Sequence, residues 1–198
     1  MTDTTKTLTT SFGQIMKHQE YHKIPETLNE LLPDAEVSLN LFNSIVSGLS
    51  CIKEGLTKKQ AKSYLKILSK KLDSSMYNET SYTALIKLYS NEVFNKADKV
   101  IELFDTMKSE GIKIKRRTMA PVLQMCMREE LYELAMSLYL DCKVMDIKLE
   151  EDDYLAILGL ACIEEPMEIY NIKMIISDMV RNIETISRDG ISYLVNYL

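Results

Sequence analysis

A helical pattern that occurs twice at a fixed interval limits what this chain can fold into. Apolar positions fall on apolar positions when residues 103–114 are aligned with residues 138–149, at an offset of 35. Each copy follows an amphipathic segment, residues 81–86 before the first and residues 118–123 before the second, and residues 153–158 begin a third. Stacked two-helix units of this length bury their apolar faces against one another. The pattern therefore predicts an all-α fold, an α-α superhelix of about four to five two-helix repeats.

The rest of the chain favours the same architecture. Glycine and proline are scarce, with 6 and 4 residues, and no run alternates apolar and polar residues with period two, so we expect no sheet. We expect an N-terminal helical cap or degenerate repeat over residues 1–35 and a repeat array over residues 36–198. Within the array, the predicted repeats are about 39–78, 79–115, 116–150 and 151–185, followed by a closing helix at 188–198. That helix is still apolar at Leu198, which leads us to expect a further element after it.

Charge is unevenly distributed along the chain. A net charge of −5 argues against indiscriminate nucleic-acid binding, because affinity for phosphates comes from clustered lysine and arginine. Yet residues 53–71 contain seven lysines and one glutamate, whereas residues 146–184 contain ten acidic and three basic residues. The lysines of the first segment form either a solvated helix face or a phosphate contact. The basic residues 113–117 lie in the expected loop between two repeats and are either an RNA contact or a soluble linker.

The sequence offers little support for a metal site, and we expect no cofactor in this chain. The four cysteines, at positions 51, 126, 142 and 162, form no C-x-x-C pair and fall in apolar helical patterns, as reduced core thiols do. His18 and His22 have the i, i+4 spacing of a helical metal pair, but no third ligand accompanies them. The acidic residues 150–153 precede a helix, where they stabilise its N-terminus. No apolar run reaches the roughly 18–20 residues that a membrane span needs.

Two segments carry a resemblance to a known family. Residues 81–86 open a first helix with Ser-Tyr, and residues 103–113 read Leu-Phe-Asp-x-Met-Lys-x-x-Gly-Ile-Lys. This repeat resembles the pentatricopeptide repeat (PPR). The resemblance implies an α-solenoid that binds single-stranded or loop RNA along its concave face, with its first helices contacting bases.

A narrower resemblance covers the C-terminal half. The chain is similar to the repeat domain of protein-only ribonuclease P over residues 104–108, 117–123, 147–158 and 179–187. The resemblance implies an arm that docks on the D-loop/T-loop elbow of precursor tRNA for removal of the 5′ leader. It further implies a Zn²⁺-stapled linker and an Mg²⁺-dependent metallonuclease domain. This chain ends before either would begin, so we expect no catalytic residues in it, and its own enzyme activity is uncertain.

The resemblance also implies partners and a compartment. Precursor tRNA is the expected partner, with a metallonuclease domain supplied in cis or in trans and no membrane contact. The family suggests an intracellular location, mitochondrial or nuclear. A truncated chain and a natural stand-alone protein both remain open. The alternative function is a protein-interaction scaffold, because two-helix repeat arrays serve both roles.

Pentatricopeptide arrays read bases through the fifth residue of a repeat together with its last. Carried over to this chain, these positions are Asn43 with Asn78, Thr83 with Lys115, Ala120 with Glu150, and Leu155. Because Ala120 and Leu155 offer no side-chain hydrogen bond, the resemblance implies recognition mostly of shape and backbone. Tyr82 is expected in the core. The predicted RNA-binding residues are Asn43, Asn78, Thr83, Lys115, Arg116 and Arg117.

Overall fold

The computed structural model describes residues 2–52, 55–164 and 169–197, apart from the side chains of residues 193, 194, 196 and 197. Within these ranges the chain is helical and has no β-strand. The prediction of an all-α fold is therefore confirmed. The helices are α1 (Asp3–His18), α2 (Ile24–Leu31), α3 (Leu39–Cys51), α4 (Lys58–Lys71), α5 (Glu79–Ser90), α6 (Ala97–Ser109), α7 (Arg116–Arg128), α8 (Tyr132–Val144), α9 (Glu151–Ile163), α10 (Ile169–Asn182) and α11 (Arg188–Tyr197).

Local sequence signals determine where these helices begin and end. The hydroxyl of Thr57 accepts from the backbone N–H of Gln60, and the Gln60 side chain accepts from the backbone of Thr57, which completes a capping box for α4. Pro25 lies in the first turn of α2, where its missing N–H costs nothing. After α6, Gly111 has a φ of 67°, a left-handed conformation that glycine adopts without strain.

The chain divides into two compact units, Met1–Lys113 and Ile114–Leu198. In the first unit, α3 packs against α1 on one side and α5 on the other, and Phe12, Phe42 and Leu49 lie fully buried in this core. In the second unit, α9 packs against α7, α8, α10 and α11. Each unit therefore places the first helices of successive hairpins side by side, as two-helix repeats do. The predicted division into a cap over 1–35 and an array over 36–198 stays a prediction.

Several details of the pattern were predicted wrongly, among them the inward position of Ile169, which is 60% exposed at the first residue of α10. The apolar spacing predicts that Ile101 and Met127 face inward, but they are exposed by 40% and 42%, because both lie at the edge of their helix's apolar stripe. The spacing of His18 and His22 would place both on one helix. However, α1 ends at His18, since Gln19 adopts a left-handed C-cap with φ 58°, and His22 belongs to a separate 3₁₀ turn.

Some predicted features cannot be compared with the structure. Lys53, Glu165, Glu168 and Leu198, which belong to the predicted lysine-rich segment, acidic segment and closing helix, lie outside the described residues. None of the described helices is long and apolar enough to cross a membrane.

Candidate nucleic-acid interface

The first helix of each hairpin keeps a narrow strip of side chains in contact with solvent. In each unit, this strip is called the first-helix face. In the first unit it consists of Asn40, Ser44, Ser47 and Cys51 on α3 and Thr80, Thr83 and Lys87 on α5. In the second unit it consists of Arg117, Ala120 and Gln124 on α7 and Asp152 and Leu155 on α9. The face is polar and cationic in the first unit and mixed in the second.

Asn43 and Asn78, the predicted reading pair of the first unit, lie in different environments. Asn43 is the fifth residue of α3 and only 8% exposed, and its Oδ1 is buried without a hydrogen-bond partner. Asn78 is the N-cap of α5. Its Oδ1 accepts from the backbone N–H of Ser81 at 3.1 Å, and the Ser81 hydroxyl accepts from the Asn78 backbone N–H at 3.2 Å. The side-chain oxygen of Asn78 is therefore already used to cap α5.

Thr83 is the fifth residue of α5 and lies half-buried on the first-helix face. Its hydroxyl donates to Glu79 Oε1 at 3.1 Å, one turn earlier in the same helix. One turn later, the exposed Lys87 places its Nζ 3.9 Å from Cys51 Sγ on α3. Lys87 is not among the residues predicted from the sequence. The signal that could have found it is its position one helical turn after the fifth residue of a repeat.

The basic residues 113–117 are only partly a loop. Because α7 begins at Arg116, Arg116 and Arg117 lie in its first turn and Lys115 is its N-cap. Arg116 Nε donates to Asp153 Oδ2 at 2.6 Å, and its Nη1 lies 2.8 Å from Glu150 Oε1. These contacts join the start of α7 to the start of α9. Arg117 and Lys115 are exposed.

The second unit offers fewer hydrogen-bonding groups at the predicted reading positions. Ala120 and Leu155 are half-buried and apolar. Glu150, the predicted last residue of that repeat, is bonded to Arg116. One turn after Ala120, however, the exposed Gln124 has an amide that can donate and accept. Gln124 is also absent from the residues predicted from the sequence, although it holds the same position in α7 as Lys87 holds in α5.

The described residues do not fit a metal site. No group of three or more histidine, cysteine, aspartate or glutamate residues converges among them. Burial raises the pKa of the Cys126 and Cys142 thiols to about 12, so both remain protonated and unsuited to metal binding. Cys51 and Cys162 are half-buried.

Several solved structures share this fold, among them the following three. The PPR domain of Arabidopsis thaliana protein-only RNase P 1, in complex with tRNA, superposes with a TM-score of 0.80 at 13% identity over 98% of both chains. Nuclear proteinaceous RNase P 2 of A. thaliana matches with a TM-score of 0.79 at 15% identity. That match covers 98% of this chain but only 42% of the plant protein. The pentatricopeptide repeat protein PPR10, in complex with an 18-nt psaJ RNA element, matches with a TM-score of 0.68 at 14% identity over 94% of this chain and 26% of that one.

Comparison at the level of sequence gives the family. No curated protein sequence matches this chain significantly. The family model described as the pentacotripeptide-repeat region of PRORP matches residues 31–192. The resemblance to the repeat domain of protein-only ribonuclease P, and the predicted repeat fold, are therefore confirmed. The chain belongs to the family of the pentacotripeptide-repeat region of PRORP.

Proposed function

We propose that this chain is the RNA-binding arm of a protein-only ribonuclease P, and that it holds precursor tRNA at the D-loop/T-loop elbow for 5′ leader removal. The observation that carries the proposal is the family match over residues 31–192. The A. thaliana PPR domain that shares the fold is itself in complex with tRNA. The first-helix face supplies the chemistry, since it combines cations with amide and hydroxyl groups.

In this proposal the cations hold phosphates. Lys87 in the first unit, and Lys115 and Arg117 in the second, are exposed on or beside the first-helix face. Such contacts position an RNA without reading its sequence. Arg116 contributes indirectly, by keeping the N-termini of α7 and α9 together through Asp153.

Base contacts come from fewer residues. Thr83 and Gln124 have exposed or half-exposed polar groups, and Asn78 retains its amide N–H₂ beside the cap. Asn43 has a buried acceptor without a partner, a state that costs about 1–3 kcal/mol. Rotation of its amide toward a bound base would recover part of that cost. Because Ala120 and Leu155 cannot hydrogen-bond through their side chains, shape recognition dominates, which suits a folded tRNA elbow.

Cleavage is assigned to a metallonuclease domain, in cis or in trans. Two-metal hydrolysis needs carboxylates that converge on the ions. In this chain the carboxylates of Glu150 and Asp153 are bonded to Arg116 instead. We also propose that the protein is located in mitochondria or in the nucleus, as the family resemblance suggests.

The test is equilibrium binding to precursor tRNA and to an unstructured RNA of equal length. We expect salt-sensitive binding that favours the precursor. Lys87→Ala and Arg117→Ala should each weaken precursor binding by roughly three- to tenfold. Lys96→Ala, an exposed lysine away from the face, is the matched control. The proposal would be refuted if the wild type did not bind the precursor, or if all three variants bound it as tightly as the wild type. Either result would favour a protein-interaction scaffold.

A further inference from the structure

The most strongly charged surface of the first unit is not the first-helix face but the outer side of α4. This helix contains six lysines and no acidic residue. Lys71 donates to the backbone carbonyls of Pro33 and Ala35 at 2.8 and 2.7 Å, which ties α4 to the segment after α2. The other five are exposed and form no ion pair with any described residue. We call them the lysine stripe: Lys58, Lys59, Lys62, Lys66 and Lys70.

The spacing of the lysine stripe makes it a continuous cationic surface. Lys58, Lys62, Lys66 and Lys70 follow one another at intervals of four residues, about 6 Å along the helix axis. The opposite side of the helix, with Ala61 and Leu68, is fully buried. The exposed residues between the lysines, such as Ser63, are polar.

Stability does not explain the stripe. Like charges four residues apart destabilise a helix by about 0.2–0.5 kcal/mol per pair, and α4 contains three such pairs in succession. No acidic residue of α4 offsets this repulsion. A bound polyanion would remove it.

The chemistry of the stripe favours a phosphate backbone over other polyanionic or apolar partners. Protein interfaces are depleted in lysine and enriched in aromatic residues and arginine. A helix that lies on a membrane presents an apolar face to the lipid, whereas the apolar side of α4 is buried in the core. A row of exposed ammonium groups separated by hydroxyls is suited instead to successive phosphates, each of which releases counterions when it is bound.

A groove beside the stripe adds aromatic surface. It has a volume of about 380 Å³, and Lys66 and Ser69 of α4 line it together with Tyr77, Tyr89 and the ion pair of Lys99 with Glu102. The Tyr77 ring is held in place by stacking on Phe42, with ring centroids 4.8 Å apart. Lysines next to tyrosine rings are the combination that proteins use to neutralise the charge of single-stranded nucleic acids and to stack on their bases.

We propose that the lysine stripe and its groove form a second RNA-binding surface, which holds the sugar–phosphate backbone of a single-stranded segment without base preference. It rests on the proposed function, because the RNA is the precursor tRNA bound through the first-helix face. The two surfaces lie on different helices of the first unit, the stripe on α4 and the face on α3 and α5. A bound RNA would therefore be held by tRNA-specific contacts on one surface and by nonspecific contacts on the other.

The test is the salt dependence of precursor binding by Lys58→Gln/Lys62→Gln/Lys66→Gln/Lys70→Gln in the full chain. Log affinity falls with log salt, and each phosphate that the variant no longer neutralises makes this slope shallower by about 0.7–0.9. The slope of the stripe variant should therefore be shallower than that of the wild type by about 3. The affinity should fall at least tenfold, and equally for the precursor and for an unrelated single strand. The matched control is Lys6→Gln/Lys17→Gln/Lys96→Gln/Lys173→Gln, which removes four exposed lysines scattered over the chain.

The outcomes separate this inference from the proposed function. If the wild-type chain binds precursor tRNA and the stripe variant has the slope of the control, the second surface is refuted and the proposed function stands. A partner that binds the stripe without RNA, such as an acidic protein, would produce this same result. The inference is supported if the affinity of the stripe variant depends less on salt while the variant still prefers the precursor to the unrelated single strand. Thermal unfolding of the control should match the wild type, because its four lysines are exposed, and the stripe variant should be at least as stable, because it removes the repulsion within α4.

Discussion

Arg116 Nε donates to Asp153 Oδ2 at 2.6 Å, so that the first residue of α7 is bonded to a carboxylate in the first turn of α9. Asp153 is only 1% exposed, and its Oδ2 also accepts from the backbone N–H of Glu150 at 2.9 Å. A cation at a helix N-terminus is normally unfavourable, because it opposes the helix dipole. Here the carboxylates of α9 offset that cost and align two neighbouring first helices.

Arg116→Ala should therefore lower stability rather than RNA affinity alone. The substitution leaves the buried Asp153 carboxylate without its guanidinium, at a cost of about 2 kcal/mol. Chemical denaturation followed by circular dichroism measures the change. Lys113→Ala, in the same basic cluster and exposed, is the control and should leave the free energy of unfolding within about 0.5 kcal/mol of the wild type. Equal stabilities for the two variants would contradict the role of Arg116.

Replacing either of two helical glycines by alanine should change the free energy of unfolding, in opposite directions at the two positions. A Cβ at Gly48 would lie 2.8 Å from Phe12 Cζ and 2.9 Å from Ile24 Cδ1, both in fully buried side chains. Gly48→Ala should destabilise the first unit by about 1–2 kcal/mol, even though alanine favours the helix. Gly13→Ala, with no atom within 4 Å of the new Cβ, should stabilise by about 0.5–1 kcal/mol. Thermal unfolding of the two variants checks both signs.

Asp178 should make stability depend on acid pH. Burial opposes its ionisation, but hydrogen bonds from Lys143 and Tyr139 and the charges of Lys143 and Arg181 outweigh burial and hold the pKa of this carboxyl below its usual range. The stabilisation is present above the unfolded-state pKa of about 4 and is lost as pH falls through the lower folded-state pKa. Asp178→Asn should cost about 1–2 kcal/mol near neutral pH.

Urea denaturation at a series of pH values measures this effect. The difference between wild type and Asp178→Asn should shrink as the pH falls below about 4. Asp105→Asn, whose parent side chain is exposed in the interior of α6, is the control and should stay within about 0.5 kcal/mol of the wild type. A difference independent of pH would show that Asp178 acts by packing and not through its charge.

The cysteines should differ in reactivity. Burial raises the pKa of Cys126 and Cys142 to about 12, so alkylation by iodoacetamide should be slow until the chain unfolds. Cys51, which is half-buried next to Lys87, should react first in the native state. Precursor tRNA bound to the first-helix face should slow the alkylation of Cys51. Mass spectrometry of the modified peptides gives all four rates, and a rate for Cys51 that tRNA leaves unchanged would count against the proposed interface.

Part of the candidate site was accessible from the sequence. The resemblance to pentatricopeptide repeats identified Thr83 and Asn43 as fifth residues of first helices, and the structure places Thr83 on the first-helix face. Lys87 and Gln124 were not predicted, although each lies one helical turn after a fifth residue, a spacing that the sequence contains. For Asn43, the spacing gave the helix position correctly but could not give the depth of burial, which depends on the packing of α3 against α1 and α5.

The sequence by itself determined the all-α fold, the two-helix period and the family, because apolar spacing, caps and repeat motifs are local or periodic signals. Only the tertiary structure decided what each charged residue does. Arg116 and Arg117 are adjacent in one basic cluster, yet Arg116 pairs with a buried carboxylate 37 residues away whereas Arg117 is exposed. The five lysines of the stripe on α4 remain without an ion-pair partner among the described residues. Such assignments depend on which helices are neighbours, and no local pattern contains that information.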